Sequence, residues 1–163
     1  MRDIEIDVTL PALEIPARIL NEIASHARES LPEECCGLVS GSDGTRYRQV
    51  QRCRNDMTRM HQNDRVRYPR DGRQAFHMVE HEWLAAVKEA ELRGEGITAV
   101  YHSHPVGRVY FSELDQKYAA QELFPFPDAD HIVVSILDGR LQAGLFLRRG
   151  EAFVGRALRA PGT

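Results

Sequence analysis

Residues 97–115 read ITAVYHSHPVGRVYFSELD, and the organisation of the chain follows from this stretch outward. Ile97 to Tyr101 is rich in β-branched and aromatic residues, as a strand requires, and leads directly into His102-Ser103-His104-Pro105. Val106 to Phe111 reads as a loop. Ser112 followed by Asp115 has the N-cap and N3 pattern of a capping box, so a helix is expected over Ser112–Leu123, stopped by Pro125 and Pro127. On an extended backbone, residues two apart point the same way, so the imidazoles of His102 and His104 can meet one ion. Asp115, on the first turn of the next helix, returns to them once the loop folds back. Two histidines and one carboxylate suit zinc, and three protein ligands leave a fourth position for water. Zinc lowers the pKa of such a water towards neutrality, which supplies a nucleophile without a covalent intermediate. Hydrolysis still needs a proton acceptor and a donor for the developing oxyanion. Taken singly, a His-x-His pair is a common polar strand edge, and Ser112 with Asp115 is an ordinary helix cap. Their conjunction points to a metal.

Downstream, HIVVSIL (131–137), LQAGLFL (141–147) and EAFVGRAL (151–158) are separated by turns at Asp138-Gly139 and near Arg149-Gly150. They read as three strands of a meander. Upstream, Gln74 to Arg93 is expected to be one helix with Phe76, Val79, Trp83, Leu84, Val87 and Leu92 near one face, ended by Gly94 and Gly96. Asp56 to Arg70 is polar, arginine-rich and aperiodic, and reads as a loop. Loops of this length in a compact domain are functional or disordered. Before it, Cys36-Gly37-Leu38-Val39 reads as a short buried strand, and after the turn at Ser42-Asp43-Gly44, Arg46 to Cys53 returns as its hairpin partner. Pro16 opens a helix whose apolar stripe is Ile19, Leu20, Ile23, Ala24 and Ala27, and Pro32 breaks it. Ile4, Ile6, Val8 and Leu10 alternate with polar residues at the period of a half-buried strand. With no internal repeat, the expectation is a single α/β (α+β) domain over residues 1–163, a mixed central β-sheet flanked by helices.

Composition narrows the function. The 163 residues are 42% hydrophobic and 28% charged, ordinary for a folded domain with one core. A balance of 21 basic against 24 acidic residues gives a net charge of −3, which argues against a protein that coats nucleic acid or an anionic membrane. No apolar run approaches the roughly 20 residues of a membrane span. MRDIEIDVTL places charges where a secretory leader needs an apolar stretch. Cys35, Cys36 and Cys53 cannot all pair, so there is no disulfide framework, and a cytoplasmic location is expected.

His102-Ser103-His104-Pro105, Ser112 and Asp115 together have the form H-[ST]-H-P-x6-S-x-x-D. This resembles the JAMM metallopeptidases, the catalytically competent branch of the JAB/MPN domain family, whose signature adds an upstream glutamate in a P-x-E-x-C-G-L context. Pro32-Glu33-Glu34-Cys35-Cys36-Gly37-Leu38 fits that context and selects Glu34 over Glu33. The order of elements agrees over roughly Ile15 to Leu158. The resemblance implies a cytidine-deaminase-like fold and one zinc ion per chain, held by His102, His104 and Asp115. It implies that Glu34 holds the attacking water and takes its proton, and that Ser112 donates to the oxyanion. Ser103 would support these residues from behind. The implied substrate is the C-terminal Gly-Gly-type tail of a ubiquitin-fold protein. That substrate is either a ThiS/MoaD-type sulfur carrier, freed of an extension or a cysteine adduct, or a ubiquitin-like modifier, cut at an isopeptide or fusion bond. Nucleic-acid and membrane partners are not implied, and a homodimer is compatible with it. The insertion before the long helix holds the substrate's tail in such enzymes, so Arg59, Arg65, Arg67 and Arg70, with Tyr110 and Phe111 opposite, are candidate substrate contacts.

Three other readings compete. A non-catalytic MPN-type scaffold binds partners without metal but lacks part of the ligand set, whereas every position is filled here. Thiol chemistry at Cys35 or Cys36 would fall on a segment the metal signature already explains, where Cys36 suits a small buried residue. Finally, His77-Met78-Val79-Glu80-His81 spells the inverted zinc-protease motif H-x-x-E-H, which needs both histidines on one helix face.

Overall fold

The computed structural model describes all residues, 1–163. Seven strands form one mixed sheet: β1 (Leu13–Glu14), β2 (Cys36–Gly41), β3 (Gln49–Cys53), β4 (Gly96–His104), β5 (Asp130–Leu137), β6 (Arg140–Arg149) and β7 (Ala152–Arg159). Four helices accompany them: α1 (Ala17–Ser30), α2 (Met57–Asn63), α3 (Glu80–Leu92) and α4 (Glu113–Ala119). The sheet order is β1-β7-β6-β5-β4-β2-β3. β4 is central, paired in parallel with β5 and antiparallel with β2. This is the mixed α/β architecture expected from the sequence, and the β5–β6–β7 meander is antiparallel throughout.

Alternation along β4 divides the core. Ala99 and Tyr101 face α1, whose stripe of Ile19, Leu20, Ile23, Ala24 and Ala27 is buried as its 3.6-residue period requires. Val100 faces the opposite side with Leu38, Phe76, Met78 and Ala86. By the same parity, His102 and His104 project from the Val100 face, at the end of the strand. A third apolar cluster, centred on Phe111, Val133, Phe146 and Phe153, packs beneath α4. No helix is long and apolar enough to cross a membrane.

Four expectations are corrected. Ile4 to Leu10 forms no strand: Ile4 bridges Phe111 and Ile6 bridges Gly155, so two partners take one residue each and no ladder develops. Val8 is fully in solvent. The Asp56–Arg70 stretch contains α2, which buries no residue completely and therefore shows no apolar stripe. The helix expected from Gln74 begins at Glu80, because Gln74 and Ala75 close a turn on Asp71 and the irregular segment that follows bridges Asn55 at Met78. Its inner face carries Ala86 and Ala90, while Leu84 and Leu92 are exposed; the small alanines let the helix lie close on the sheet. Lastly, α4 ends at Ala119 and not at Leu123, and an irregular segment follows that buries Phe124 and Phe126.

Candidate metal centre

β4 ends in the two histidines, and α4 begins beside them. The Ser112 hydroxyl accepts from the Asp115 amide at 3.0 Å, and the Asp115 Oδ2 accepts from the Ser112 amide at 2.9 Å, completing the capping box. One carboxylate oxygen is thereby spent on the helix cap. The other, Oδ1, lies 3.4 Å from His102 Nε2. The two Nε2 atoms of His102 and His104 are 3.3 Å apart. His104 Nδ1 lies 3.2 Å from the Arg108 carbonyl oxygen. A carbonyl only accepts, so Nδ1 carries the hydrogen and Nε2 turns a lone pair inward. Phe76 stacks on the His102 ring at 4.6 Å and fixes its plane.

These three side chains are buried, and their donor atoms all lie within 4.8 Å of one another. A tetrahedral ion with bonds of about 2.0–2.1 Å separates its ligands by roughly 3.3–3.4 Å. The His102–His104 and His102–Asp115 separations meet that requirement, while His104 Nε2 stands wider, 3.9 Å from Oδ2 of Asp115; the three donors still cluster closely enough that the residues present could hold a metal. Burial alone would raise the Asp115 carboxyl. The interactions with His102 and Ser112 outweigh it and hold that carboxyl below the usual range. For His102, burial opposes protonation, but Asp115 and Glu34 raise its pKa. His104 is pushed down to about 4 by burial and by His102.

Glu34 precedes β2. Cys36 pairs with His102, so on this antiparallel neighbour Glu34 falls toward the His104 end of β4. It lines a cleft of about 590 Å³ together with His104, Ser112 and Asp115. Burial pushes its carboxyl up to about 7, tempered by His102 and Arg70. Ser103 fixes the residue next to it: the Ser103 hydroxyl accepts from the Cys35 amide at 2.8 Å, and the Ser103 amide donates to the Cys35 carbonyl at 3.1 Å.

Asn55, which sequence reasoning passed over, fixes the other side. Its amide nitrogen donates to the carbonyls of Glu34 at 3.1 Å and Ala75 at 3.0 Å. Its oxygen accepts from the amides of Met57 and His77, both at 3.0 Å. One carboxamide thus joins the Glu34 loop, the start of α2 and the irregular segment before α3. The available signal was an Asn directly before a helix start, where such side chains satisfy free backbone amides.

The remaining candidates separate. Arg70 lines the Glu34 cleft, joined by Arg73 and Gln74, which the sequence reading did not select; Pro105, Val106 and Tyr110 line it too. Arg67 lines a second groove of about 500 Å³ with Met57, Phe76 and Tyr118, which meets the first at Asp115. Arg59 is engaged by Asp56, and Arg65 lines neither groove. Phe111 does not reach the cleft; it is fully buried against Phe146, Phe153 and His131. The H-x-x-E-H reading fails on geometry, because His77 precedes α3 and shares no helix face with the exposed His81. Cys35 and Cys36 are buried free thiols, and burial pushes the first up to about 12 and the second well above its usual value. Burial therefore disfavours the thiolate that nucleophilic attack requires at either position.

Residues 16–146 match the family described as prokaryotic homologs of the JAB domain. A CysO-cysteine peptidase of Mycobacterium bovis is 29% identical over 133 residues, covering 80% of this chain and 77% of the relative. The CysO-cysteine peptidase of Mycobacterium tuberculosis matches to the same extent. A protein from Desulfitobacterium hafniense, solved in solution, superposes with a TM-score of 0.66 at 22% identity, covering 92% of this chain and 93% of that one. A Salinibacter ruber protein does so with a TM-score of 0.60 at 22% identity, covering 92% of each. These two structures speak to the fold alone.

Proposed function

Because the chain belongs to the family of prokaryotic homologs of the JAB domain, we propose that it is a zinc-dependent peptidase acting at the C-terminal tail of a ubiquitin-fold sulfur carrier. The single observation that carries this reading is the buried His102–His104–Asp115 group with Glu34 on the same cleft. The relatives named CysO-cysteine peptidases favour an adduct at the end of a carrier's tail over an isopeptide bond.

His102, His104 and Asp115 would hold the zinc ion. Bound there, zinc would supply Lewis acidity towards a water and the scissile carbonyl. The chain's own residues supply the rest. Glu34, with its carboxyl near neutrality, accepts a proton from the attacking water and delivers it to the departing amine. Ser112 uses its lone pairs on the Asp115 amide, which leaves its O–H to donate to the oxyanion. Asp115 keeps one oxygen turned to the site because the capping box engages the other. Asn55 and Ser103 hold the backbone on either side of the Glu34 side chain, so the base does not drift between turnovers.

The test is hydrolysis of a ubiquitin-fold carrier extended at its Gly-Gly end. A strong chelator is expected to abolish cleavage and added zinc to restore it, while Cys35→Ser and Cys36→Ser remain active. Thiol alkylation that stops a zinc-loaded, folded enzyme would reverse the assignment.

A further inference from the structure

The Glu34 cleft carries two of the chain's carboxylates, Glu34 and Asp115. A substrate group bearing a negative charge would be repelled there unless cations face it. Two do. Arg70 and Arg73 line the same cleft with Gln74, and Arg70 has no ion-pair or hydrogen-bond partner within the chain. Arg73 is only loosely engaged, 3.5 Å from Asp71. Pro105, Val106 and Tyr110 also line the cleft and bring no cation, only the tyrosine hydroxyl as a neutral donor. Arg70 and Arg73 are the only arginine or lysine side chains that line this cleft.

We propose that Arg70 and Arg73, with Gln74, form a subsite for the α-carboxylate of a single amino acid leaving the tail's C-terminus. The proposal rests on the peptidase reading above and adds the residues that hold the leaving group. Water adds to the carbonyl carbon of the tail's last glycine, and its C–N bond breaks. The amine takes a proton, and the amino acid departs with its α-carboxylate paired to the guanidinium groups. A guanidinium fork matches a carboxylate with two parallel hydrogen bonds. An isopeptide-linked lysine side chain brings no such carboxylate to the cleft. The subsite thus selects removal of one terminal residue over deconjugation.

The experiment uses the zinc-loaded protein and two probes. Both are a folded ubiquitin-fold carrier ending in Gly-Gly-Cys, one as the free acid and one as the C-terminal carboxamide. The free acid should be cleaved with a kcat/KM at least about tenfold higher, as expected for a partly exposed charge-assisted pair. In the Arg70→Gln/Arg73→Gln double variant that preference should collapse, with zinc content and Tm unchanged. Equal cleavage of acid and amide by the parent would overturn the subsite while leaving the peptidase reading standing. So would a double variant whose KM rises equally for both probes, because the arginines would then grip the carrier's surface. Cleavage of neither probe would sink the peptidase reading, and the subsite with it.

Discussion

Burial sets the Glu34 carboxyl apart, since an exposed glutamate would titrate far below neutrality, whereas this one is pushed up to about 7. Glu34→Gln keeps the volume and removes the proton acceptor. Turnover is expected to fall by about 10²–10⁴-fold with zinc retained. Full activity in that variant, with loss in Glu33→Gln, would move the role one residue upstream. Asn55 acts through Glu34, and a double-mutant cycle measures it. Asn55→Asp sets a carboxylate oxygen against the carbonyls of Glu34 and Ala75, which the amide now serves. Turnover should drop by roughly 10- to 100-fold in the parent background and barely further in Glu34→Gln. An equal drop in both backgrounds would mean that Asn55 serves only the fold. That His102, His104 and Asp115 cluster, with Glu34 on the same cleft, was legible because their types and spacing suit metal chemistry. Asn55, Arg73 and Gln74 were not, because their roles depend on which segments meet in space.

The elements that were read correctly are those whose periodicity reports burial directly. The α1 stripe buries one helix face, and β5 and β6 bury continuous apolar runs on both faces of the sheet, so hydrophobic pattern and structure agree. The misread ones bury little or bury it irregularly. α2 hides no residue completely, and the irregular Gln74–Val79 segment buries Phe76 and Met78 ahead of α3, so its apolar residues were read as a continuation of that helix's face. Gly37 shows the same dependence on tertiary contact. A Cβ there would sit 2.5 Å from the Tyr101 ring and closer still to the Gln51 carbonyl oxygen. Tyr101 is fully buried and bonded to His26 at 2.8 Å, so it has little room to yield. Gly37→Ala is expected to destabilise by about 1–3 kcal/mol and to disturb the neighbouring His102. Urea unfolding checks the first effect and zinc affinity the second. An unchanged midpoint would show that the β2–β4 pair is looser than its packing implies.

Across the whole molecule, the site sits where a polar edge meets a fully apolar interior, and His131 marks the boundary. It lies among Phe111, Phe124 and Phe153, with Nε2 buried and unbonded. Burial pushes its pKa down to about 3. The folded state therefore holds it neutral, while the unfolded chain protonates near 6.5. Its contribution is complete above pH 6.5 and is lost as pH falls towards 3. Between pH 7 and pH 5 this costs on the order of 1–2 kcal/mol. His131→Phe should remove that part of the pH dependence in chelator-treated protein; an unaltered difference between the two pH values would contradict the assignment.

The central claim is that the chain's one metal site is built from the end of β4 and the start of α4. Metal analysis of purified protein tests it most directly. About one zinc per chain is expected in the parent, with loss in His104→Ala and retention in His77→Ala. Zinc retained in His104→Ala and lost in His77→Ala would contradict the account.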